Sequence, residues 1–315
     1  MAIAMNQARF ACLAAALVLS SFPALAQTRD QNAANCKDGT DDVSIVACTA
    51  LITGHTETPV GVAIAYNNRA NAYIHKGDND RAIKDLTEAI RLRPNYATAF
   101  YNRAIAYINK GATQKGIQDY DQALRINPKY VAALNNRGSA YDDLGQYQRA
   151  IQDYNTALAI DPNDAIALND RGISYKNLGQ YRPAIADFDR VIVMDPKKPN
   201  RWANRCWVRA IIGELPEALA DCNQSLALNA TFGYAHEARG IVYLKLKNAD
   251  AAIDDFTVAI AADSKDAIAF YGRGLARSMK GYKAESDADL ASARGYDSGI
   301  AEKFSQYGVK AGESK

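Results

Sequence analysis

Apolar and small residues recur along most of the chain with a period of 34 residues. The similar stretches YNNRANAY (66–73), YNRAIAY (101–107), NNRGSAY (135–141) and NDRGISY (169–175) define this period. Within each period, two stretches of roughly 14 residues carry apolar residues at the spacing of an amphipathic helix. The pattern therefore predicts a series of helical hairpins, in units that begin at residues 63, 97, 131, 165, 199, 233 and 267.

Several kinds of residue hold fixed places within the 34-residue unit. Small residues hold places 8 and 20 and mostly place 27, aromatic residues commonly hold places 11 and 24, glycine commonly holds place 15, and proline holds place 32 in the first four units. Glycine favours the left-handed conformation that ends a helix, and proline cannot continue a helix. Small residues let the two antiparallel helices of a hairpin approach closely.

This pattern of small, aromatic and proline residues resembles the tetratricopeptide repeat. The resemblance covers residues 63–300 and implies an all-α fold, a right-handed α-solenoid of antiparallel helix pairs whose first helices line a concave groove. In the fifth and seventh units, Arg209 and Arg277 replace the aromatic residue at place 11, which predicts altered packing to their neighbours. The seven predicted repeats are 63–96, 97–130, 131–164, 165–198, 199–232, 233–266 and 267–300.

Two atypical segments flank the repeats. Residues 39–52 align with residues 77–90, so residues 27–62 are predicted to form a degenerate N-terminal helical hairpin. Residues 301–315 are predicted to form a capping helix and a short tail. The apolar stripe of this last helix, which would cover the final hairpin, consists of Ile300, Phe304 and Tyr307.

The first 26 residues have the features of a secretory signal peptide. Arg9 is their only charge, residues 11–20 form a short apolar run, and residues 24–26 form an A-x-A cleavage site. The mature chain is therefore expected to be exported, to the periplasm or out of the cell, after cleavage between Ala26 and Gln27. No later segment is apolar enough to suggest a transmembrane helix.

The four cysteines that remain after cleavage favour disulfide bonds, because an even number of cysteines is typical of exported proteins with disulfides. The two sets are far apart in sequence, so the predicted pairs are Cys36–Cys48 and Cys206–Cys222. Free thiols in the core are the alternative. No Cys or His has zinc-ligand spacing around them, and neither a metal site nor a cofactor is predicted.

Arginine holds place 7 and aspartate holds place 23 in all seven units. The two places lie at the same height in an antiparallel hairpin, which predicts an ion pair within each hairpin. An arginine ladder for anionic ligands is the alternative, although each arginine has its own neutralising carboxylate. The predicted pairs are Arg69–Asp85, Arg103–Asp119, Arg137–Asp153, Arg171–Asp187, Arg205–Asp221, Arg239–Asp255 and Arg273–Asp289.

By the resemblance, places 2, 5, 6, 9, 12 and 13 face the groove. A column of amides there could hold an extended peptide, because a carboxamide both donates and accepts hydrogen bonds; alternatively the amides cap neighbouring helices or are solvated. Aromatic groove residues are candidate anchors, and from the fifth unit the groove becomes more apolar. The predicted groove residues are Asn67, Asn68, Asn71, Tyr101, Asn102, Asn135, Asn136, Asn169, Asp170, Asn204 and Trp207, with Tyr271 as a further anchor.

The composition points to a binding protein. With 37 basic and 35 acidic residues, the chain lacks the basic excess of a nucleic-acid binder. His55, His75 and His236 belong to no catalytic pattern, and the glycines at 111 and 116 are not followed by the Lys-Ser/Thr of a phosphate loop, so no enzyme activity is predicted. The predicted function is an exported scaffold that binds a protein or extended peptide in envelope assembly, secretion or sensing; its oligomeric state stays open, with a monomer favoured. The alternative is an envelope glycan binder that uses the same amides and aromatic residues.

Overall fold

The computed structural model describes residues 28–309, and these residues form 17 helices and no strand. The predicted signal peptide and the predicted tail, residues 311–315, lie outside the described residues. In the described part, no helix is both long enough and apolar enough to cross a bilayer. The helices are α1 (Arg29–Asp38), α2 (Asp41–Thr53), α3 (Pro59–His75), α4 (Asn79–Leu92), α5 (Ala97–Asn109), α6 (Thr113–Ile126), α7 (Val131–Asp143), α8 (Tyr147–Ile160), α9 (Ala165–Asn177), α10 (Tyr181–Met194), α11 (Pro199–Ile212), α12 (Leu215–Leu228), α13 (Gly233–Lys245), α14 (Ala249–Ala262), α15 (Ala267–Met279), α16 (Lys283–Tyr296) and α17 (Ile300–Gln306).

Consecutive helices pack as hairpins that stack on one another. The helices pair as α3 with α4, α5 with α6 and so on to α15 with α16, and the second helix of each pair also packs against the first helix of the next. First helices of neighbouring pairs touch as well, for example α11 with α13. This arrangement confirms the predicted all-α solenoid.

The turn within each hairpin depends on place 15. Glycine at this place has a φ between 69° and 87° in six units, from Gly77 to Gly281, so it ends the first helix in the left-handed conformation. In the sixth unit Lys247 holds this place and adopts the same conformation, with a φ of 58°. A residue with a Cβ atom loses about 1 kcal/mol there. The turn geometry therefore follows from the solenoid packing even where glycine is missing.

The arginine at place 7 joins two hairpins. In every unit its Nε and Nη2 atoms donate to the two carboxylate oxygens of the aspartate at place 23, at 2.6–2.9 Å. These aspartates are only 3–6% exposed. The Nη1 atom of Arg137 also donates to Asp121 at place 25 of the preceding unit, and the other arginines make the corresponding contact to a Thr, Asn or Asp side chain. The arginine thus binds within its own hairpin and to the one before it.

Both predicted cysteine pairs lie at disulfide distance. Cys36 and Cys48 join α1 to α2, with Cα atoms 4.7 Å apart, and Cys206 and Cys222 join α11 to α12, with Cα atoms 5.4 Å apart. Places 8 and 24, which Cys206 and Cys222 hold, are filled in four of the other hairpins by a small residue against an aromatic ring. A Cβ atom at Gly138, for instance, would lie 2.7 Å from the ring of Tyr154. In the fifth unit the disulfide replaces that contact.

Candidate functional site

The predicted groove residues all lie on first helices, namely α3, α5, α7, α9 and α11, with the further anchor Tyr271 on α15. Those at places 5 and 6 fall into two groups. Four amides are 3–7% exposed, and the other predicted residues at places 5 and 6 are partly exposed. The buried amides are Asn67, Asn102, Asn135 and Asn204.

The amides link neighbouring units to one another. A side-chain amide at place 6 donates a hydrogen bond to the group at place 5 of the preceding unit. Within the first and fourth units, the amide at place 5 donates to place 6, as from Asn67 to Asn68 at 3.3 Å. These contacts form short chains of hydrogen bonds between the first helices, and we call them together the amide relay. Its links between units are Asn102 to Asn67 (2.9 Å), Asn136 to the Tyr101 hydroxyl (3.0 Å) and Asn204 to Asn169 (3.3 Å).

The amide relay is interrupted between the third and fourth units. Asp170 holds place 6 there, and an ionised carboxylate has no proton to donate. Among the described residues, the Oδ1 atom of Asn135 is buried without a hydrogen-bond partner, and the Nδ2 atom of Asn135 donates to Asp164 at 2.6 Å. Asp170 accepts a hydrogen bond from Asn169 at 2.9 Å, and burial raises the pKa of Asp170.

An open cleft lies on the second and third units. Its volume is about 250 Å³, and Tyr101 lies beside it, with its ring centroid 4.9 Å from that of Tyr130 and 5.9 Å from that of Tyr120. Five of the seven cleft residues absent from the predicted site stand at places 9, 12 and 13, which the resemblance also assigned to the groove, and the other two, Tyr120 and Ala140, hold places 24 and 10. The cleft is lined by Ile105, Ile108, Asn109, Tyr120, Asn136, Ser139, Ala140 and Asp143.

Carboxylates without cationic partners stand at the centre of the groove. Asp142, Asp143 and Asp170 form no ion pair with any residue in the range 28–309. Asp142 accepts hydrogen bonds from the hydroxyls of Ser174 and Tyr154, at 2.7 and 2.9 Å, and burial raises its pKa. The aspartates of the arginine ladder are neutralised, so the groove centre is the acidic part of the concave face. No group of potential ligand side chains within the described residues has the arrangement of a metal site.

The aromatic anchors predicted in the later units are covered. Trp207 and Tyr271 are only 5% and 3% exposed. The ring centroid of Tyr307 lies 5.5 Å from that of Trp207, and the ring centroid of Phe304 lies 4.7 Å from that of Tyr271. We call residues 300–309 the C-terminal segment. The last helix packs against the final hairpin, as its apolar stripe predicts, and the C-terminal segment also extends into the groove.

A buried polar cluster lies where the open and covered parts of the groove meet. The Nζ atom of Lys176 donates to the hydroxyl of Tyr234 at 3.3 Å. Burial raises the pKa of Glu237 well above its ordinary value, and the neighbouring Asp266 adds to this effect. Burial lowers the pKa of Lys176. Both charged groups are thus held in surroundings that favour their neutral forms.

Comparisons with known proteins agree with this architecture. Family models described as tetratricopeptide repeat match residues 97–130, 131–164 and 153–186, and one described as TPR repeat matches residues 70–111. A TPR repeat-containing thioredoxin of Arabidopsis thaliana is 37% identical over 90 residues, which cover 28% of this chain and 24% of that protein. The chain therefore spans about a quarter of the length of that relative.

Solved structures show the same fold. A tetratricopeptide repeat protein from Parabacteroides merdae superposes with a TM-score of 0.65 at 23% identity, over 78% of this chain and 98% of that chain. The type IV pilus biogenesis factor PilW gives a TM-score of 0.57 at 22% identity, over 64% and 93% of the two chains. YrrB, described as having an unusual peptide-binding site, gives 0.53 at 23% identity, over 61% and 97%. The family models over residues 70–186, together with the 34-residue period and the stacked hairpins, identify the chain as a tetratricopeptide-repeat protein, and this fold supports a role as a protein-interaction scaffold.

Proposed function

We propose that this protein is an exported adaptor in envelope assembly, secretion or sensing, and that it binds an extended segment of a protein partner in the groove of its first four units. The observation that carries the proposal is the division of the concave face. The groove of the second and third units is open and lined by both polar and apolar groups, whereas the aromatic surface further along is covered by the C-terminal segment.

The chemistry of the open groove suits a peptide backbone with basic side chains. Asn68, Asn71 and Asn136 are partly exposed. Each amide can donate a hydrogen bond to a peptide main chain and accept one from it, whatever the side chains of that peptide are. Asp142 and Asp143 lack cationic partners among the described residues and would favour a segment that carries Lys or Arg. The apolar side chains of Ile105 and Ile108 offer contact area between the polar groups.

The descriptions of two structural neighbours agree with this proposal. YrrB is described as having an unusual peptide-binding site, and PilW as a type IV pilus biogenesis factor. The disulfides are compatible with export, because such bonds persist in oxidising compartments. At their level of identity these neighbours support the fold, and we infer the envelope role from the predicted signal peptide and the disulfides.

The test is affinity capture of the full chain from the envelope fraction of its own cells. Ser139→Arg places a long cation in the open cleft, and Gln152→Arg makes the same change of charge at an exposed site on α8, outside the cleft. A groove-bound partner is expected to be recovered with the wild type and with Gln152→Arg, and lost with Ser139→Arg. Equal recovery with all three would show that binding lies on another face.

The glycan alternative is distinguished by the nature of the ligand. Synthetic peptides from the captured partner are expected to raise the melting temperature of the wild type, since a ligand that binds only the folded state stabilises it. Glycan fragments from the envelope are expected to have no such effect. A shift with the glycan fragments alone, abolished by Ser139→Arg, would replace the peptide proposal with the glycan one.

A further inference from the structure

The concave surface of the fifth, sixth and seventh units is apolar and aromatic. Five of its six residues are 1–6% exposed in the folded chain, and Tyr234 is partly buried. An apolar surface of this size on a soluble protein is normally covered by a ligand, by a partner or by another part of the chain. We call this surface the apolar half of the groove, and its residues are Trp207, Tyr234, Ile241, Leu244, Tyr271 and Leu275.

The chain covers this surface with one face of its C-terminal segment. Ile300, Phe304 and Tyr307 follow one another at intervals of four and three residues, which places them on the same side of a helix. Ile300 and Phe304 are 0% exposed. The ring of Tyr307 meets the ring of Trp207 edge-on, and the ring of Phe304 packs against Tyr271. The other side of α17 is exposed to solvent.

The C-terminal segment extends farther than the end of the solenoid requires. A terminal cap has to cover only the last hairpin, which is α15 with α16. Gly308 has a φ of 73°, and the backbone N–H of Val309 donates to the carbonyl of Phe304 at 2.9 Å, which ends α17 and turns the chain. Tyr307 lies against Trp207 on α11, two hairpins before the last. The segment therefore occupies the groove itself.

The C-terminal segment is short, and three side chains, Ile300, Phe304 and Tyr307, make its packing contacts with the groove. α17 has seven residues, and a helix of this length is unstable on its own in water. It follows α16 after only three residues, 297–299, so it stays close to its site when it detaches. Terminal segments with a small buried surface are the parts of a protein that open at the lowest free energy. We therefore expect the segment to detach without unfolding the solenoid.

We infer that the apolar half of the groove is a second ligand site, that it takes a short amphipathic helix of a protein partner, and that the C-terminal segment fills it until such a helix displaces it. The partner helix would carry one aliphatic and two aromatic residues at the spacing of Ile300, Phe304 and Tyr307, because those are the side chains that the surface already accommodates. A tethered segment has an effective concentration on the order of millimolar, so the partner helix must bind more tightly than the free segment does. This site is separate from the polar groove of the first four units and does not depend on a ligand there.

The test uses the full chain and a fluorescein-labelled peptide with the sequence of residues 299–309, GIAEKFSQYGV. Phe304→Ala combined with Tyr307→Ala removes two of the three anchors and vacates the site. The peptide is expected to bind this double variant at least about tenfold more tightly than the wild type. In the wild type the C-terminal segment occupies the site in most molecules, and the apparent affinity for the peptide falls in proportion to the fraction of molecules whose site is vacant. Glu302→Ala changes an exposed residue of the same helix and is expected to behave like the wild type.

Two controls locate the binding. The same peptide with alanine at both aromatic positions is expected to bind neither protein. Ser139→Arg, which blocks the open cleft, is expected to leave peptide binding to the double variant unchanged, so this test and the test of the open groove can fail separately. Circular dichroism checks that the double variant keeps its helical content. If it does not, Tyr307→Ala alone removes the contact with Trp207 and takes its place, with a smaller gain in affinity expected.

Two results would overturn the inference. One is equal affinity of the peptide for the wild type and for the folded variant, since the peptide would then bind elsewhere. The other is no binding to the folded variant at peptide concentrations up to about 1 mM, the range of the effective concentration of a short tether.

Discussion

Asp170→Asn is expected to stabilise the protein, because it supplies the donor that the amide relay lacks. Asn135 has a buried Oδ1 atom without a hydrogen-bond partner among the described residues. Asn135 holds place 5, and in other units the residue at place 5 accepts a hydrogen bond from the amide at place 6 of the following unit. An amide at position 170 could accept from Asn169, as Asp170 does now, and donate to Asn135. It is also isosteric with the carboxylate, so the packing of α9 is kept.

The expected gain is about 1–2 kcal/mol in the free energy of unfolding at neutral pH, since a buried unsatisfied acceptor costs about 1–3 kcal/mol and the new amide must itself be ordered. For a chain of this size, that corresponds to a rise of about 2–6 °C in melting temperature. The assay is urea unfolding followed by far-ultraviolet circular dichroism. Asp143→Asn makes the same chemical change at an exposed position of the groove and is expected to change the stability by less than about 0.5 kcal/mol.

The gain should also depend on pH. Burial raises the pKa of Asp170, so the folded state holds the proton more tightly than the unfolded state does. Proton binding by Asp170 therefore contributes to the free energy of unfolding of the wild type. The contribution is present in full below the ordinary aspartate pKa and is lost as the pH rises through the folded pKa. The advantage of Asp170→Asn is expected to be largest at neutral pH and to shrink in acid, where the protonated carboxyl can donate to Asn135. A variant that is no more stable than the wild type at neutral pH, or a gain that is the same at all pH values, would refute this reasoning.

Three further predictions concern stability and use the same urea assay. Glu237→Gln is expected to stabilise the protein increasingly as the pH rises, because burial raises the pKa of this carboxyl and the wild type loses about 1.4 kcal/mol per pH unit between the unfolded and folded pKa values. A stability difference that stays constant as the pH rises above the ordinary glutamate pKa would contradict it. Arg137→Ala is expected to cost about 3 kcal/mol, because it leaves the buried carboxylate of Asp153 without its paired cation; a loss below about 1 kcal/mol would mean that the pair is solvated. Cys206→Ala combined with Cys222→Ala is expected to lower the free energy of unfolding by about 3 kcal/mol, the loop-closure value for a sequence separation of 16 residues. A variant as stable as the oxidised wild type would contradict this.

Most of the fold could be predicted from the sequence, because each hairpin is built from local interactions that repeat every 34 residues. Glycine at place 15 and the small residues at places 8 and 20 fix the turn and the approach of the two helices. The contact between Arg137 and Asp153 also follows from the hairpin alone, because the two residues lie at the same height on its antiparallel helices. The contact of Arg137 with Asp121 does not, because it depends on how successive hairpins stack. The oxygen-bearing residues at place 25 are its sequence signal.

The candidate site was harder to predict, because its features arise between units. The resemblance identified the face that carries Asn102, but the burial of this amide and its bond to Asn67 depend on the spacing of neighbouring first helices. The same spacing brings position 170 close to Asn135, and for this reason an aspartate there interrupts the relay. The covering of Trp207 depends on the path of the chain after the last repeat. Its signal was present, since the apolar groove residues of the later units match an apolar stripe on the last helix.

Photo-crosslinking in living cells tests whether a partner binds in the groove, with a photo-reactive phenylalanine at position 139 in the open cleft or at position 152 on the exposed face of α8. The crosslinker captures a bound protein whatever its identity. A discrete crosslinked protein is expected from position 139 and none from position 152. A partner captured from position 152 and not from position 139 would contradict this expectation, because the groove would then not be the binding surface.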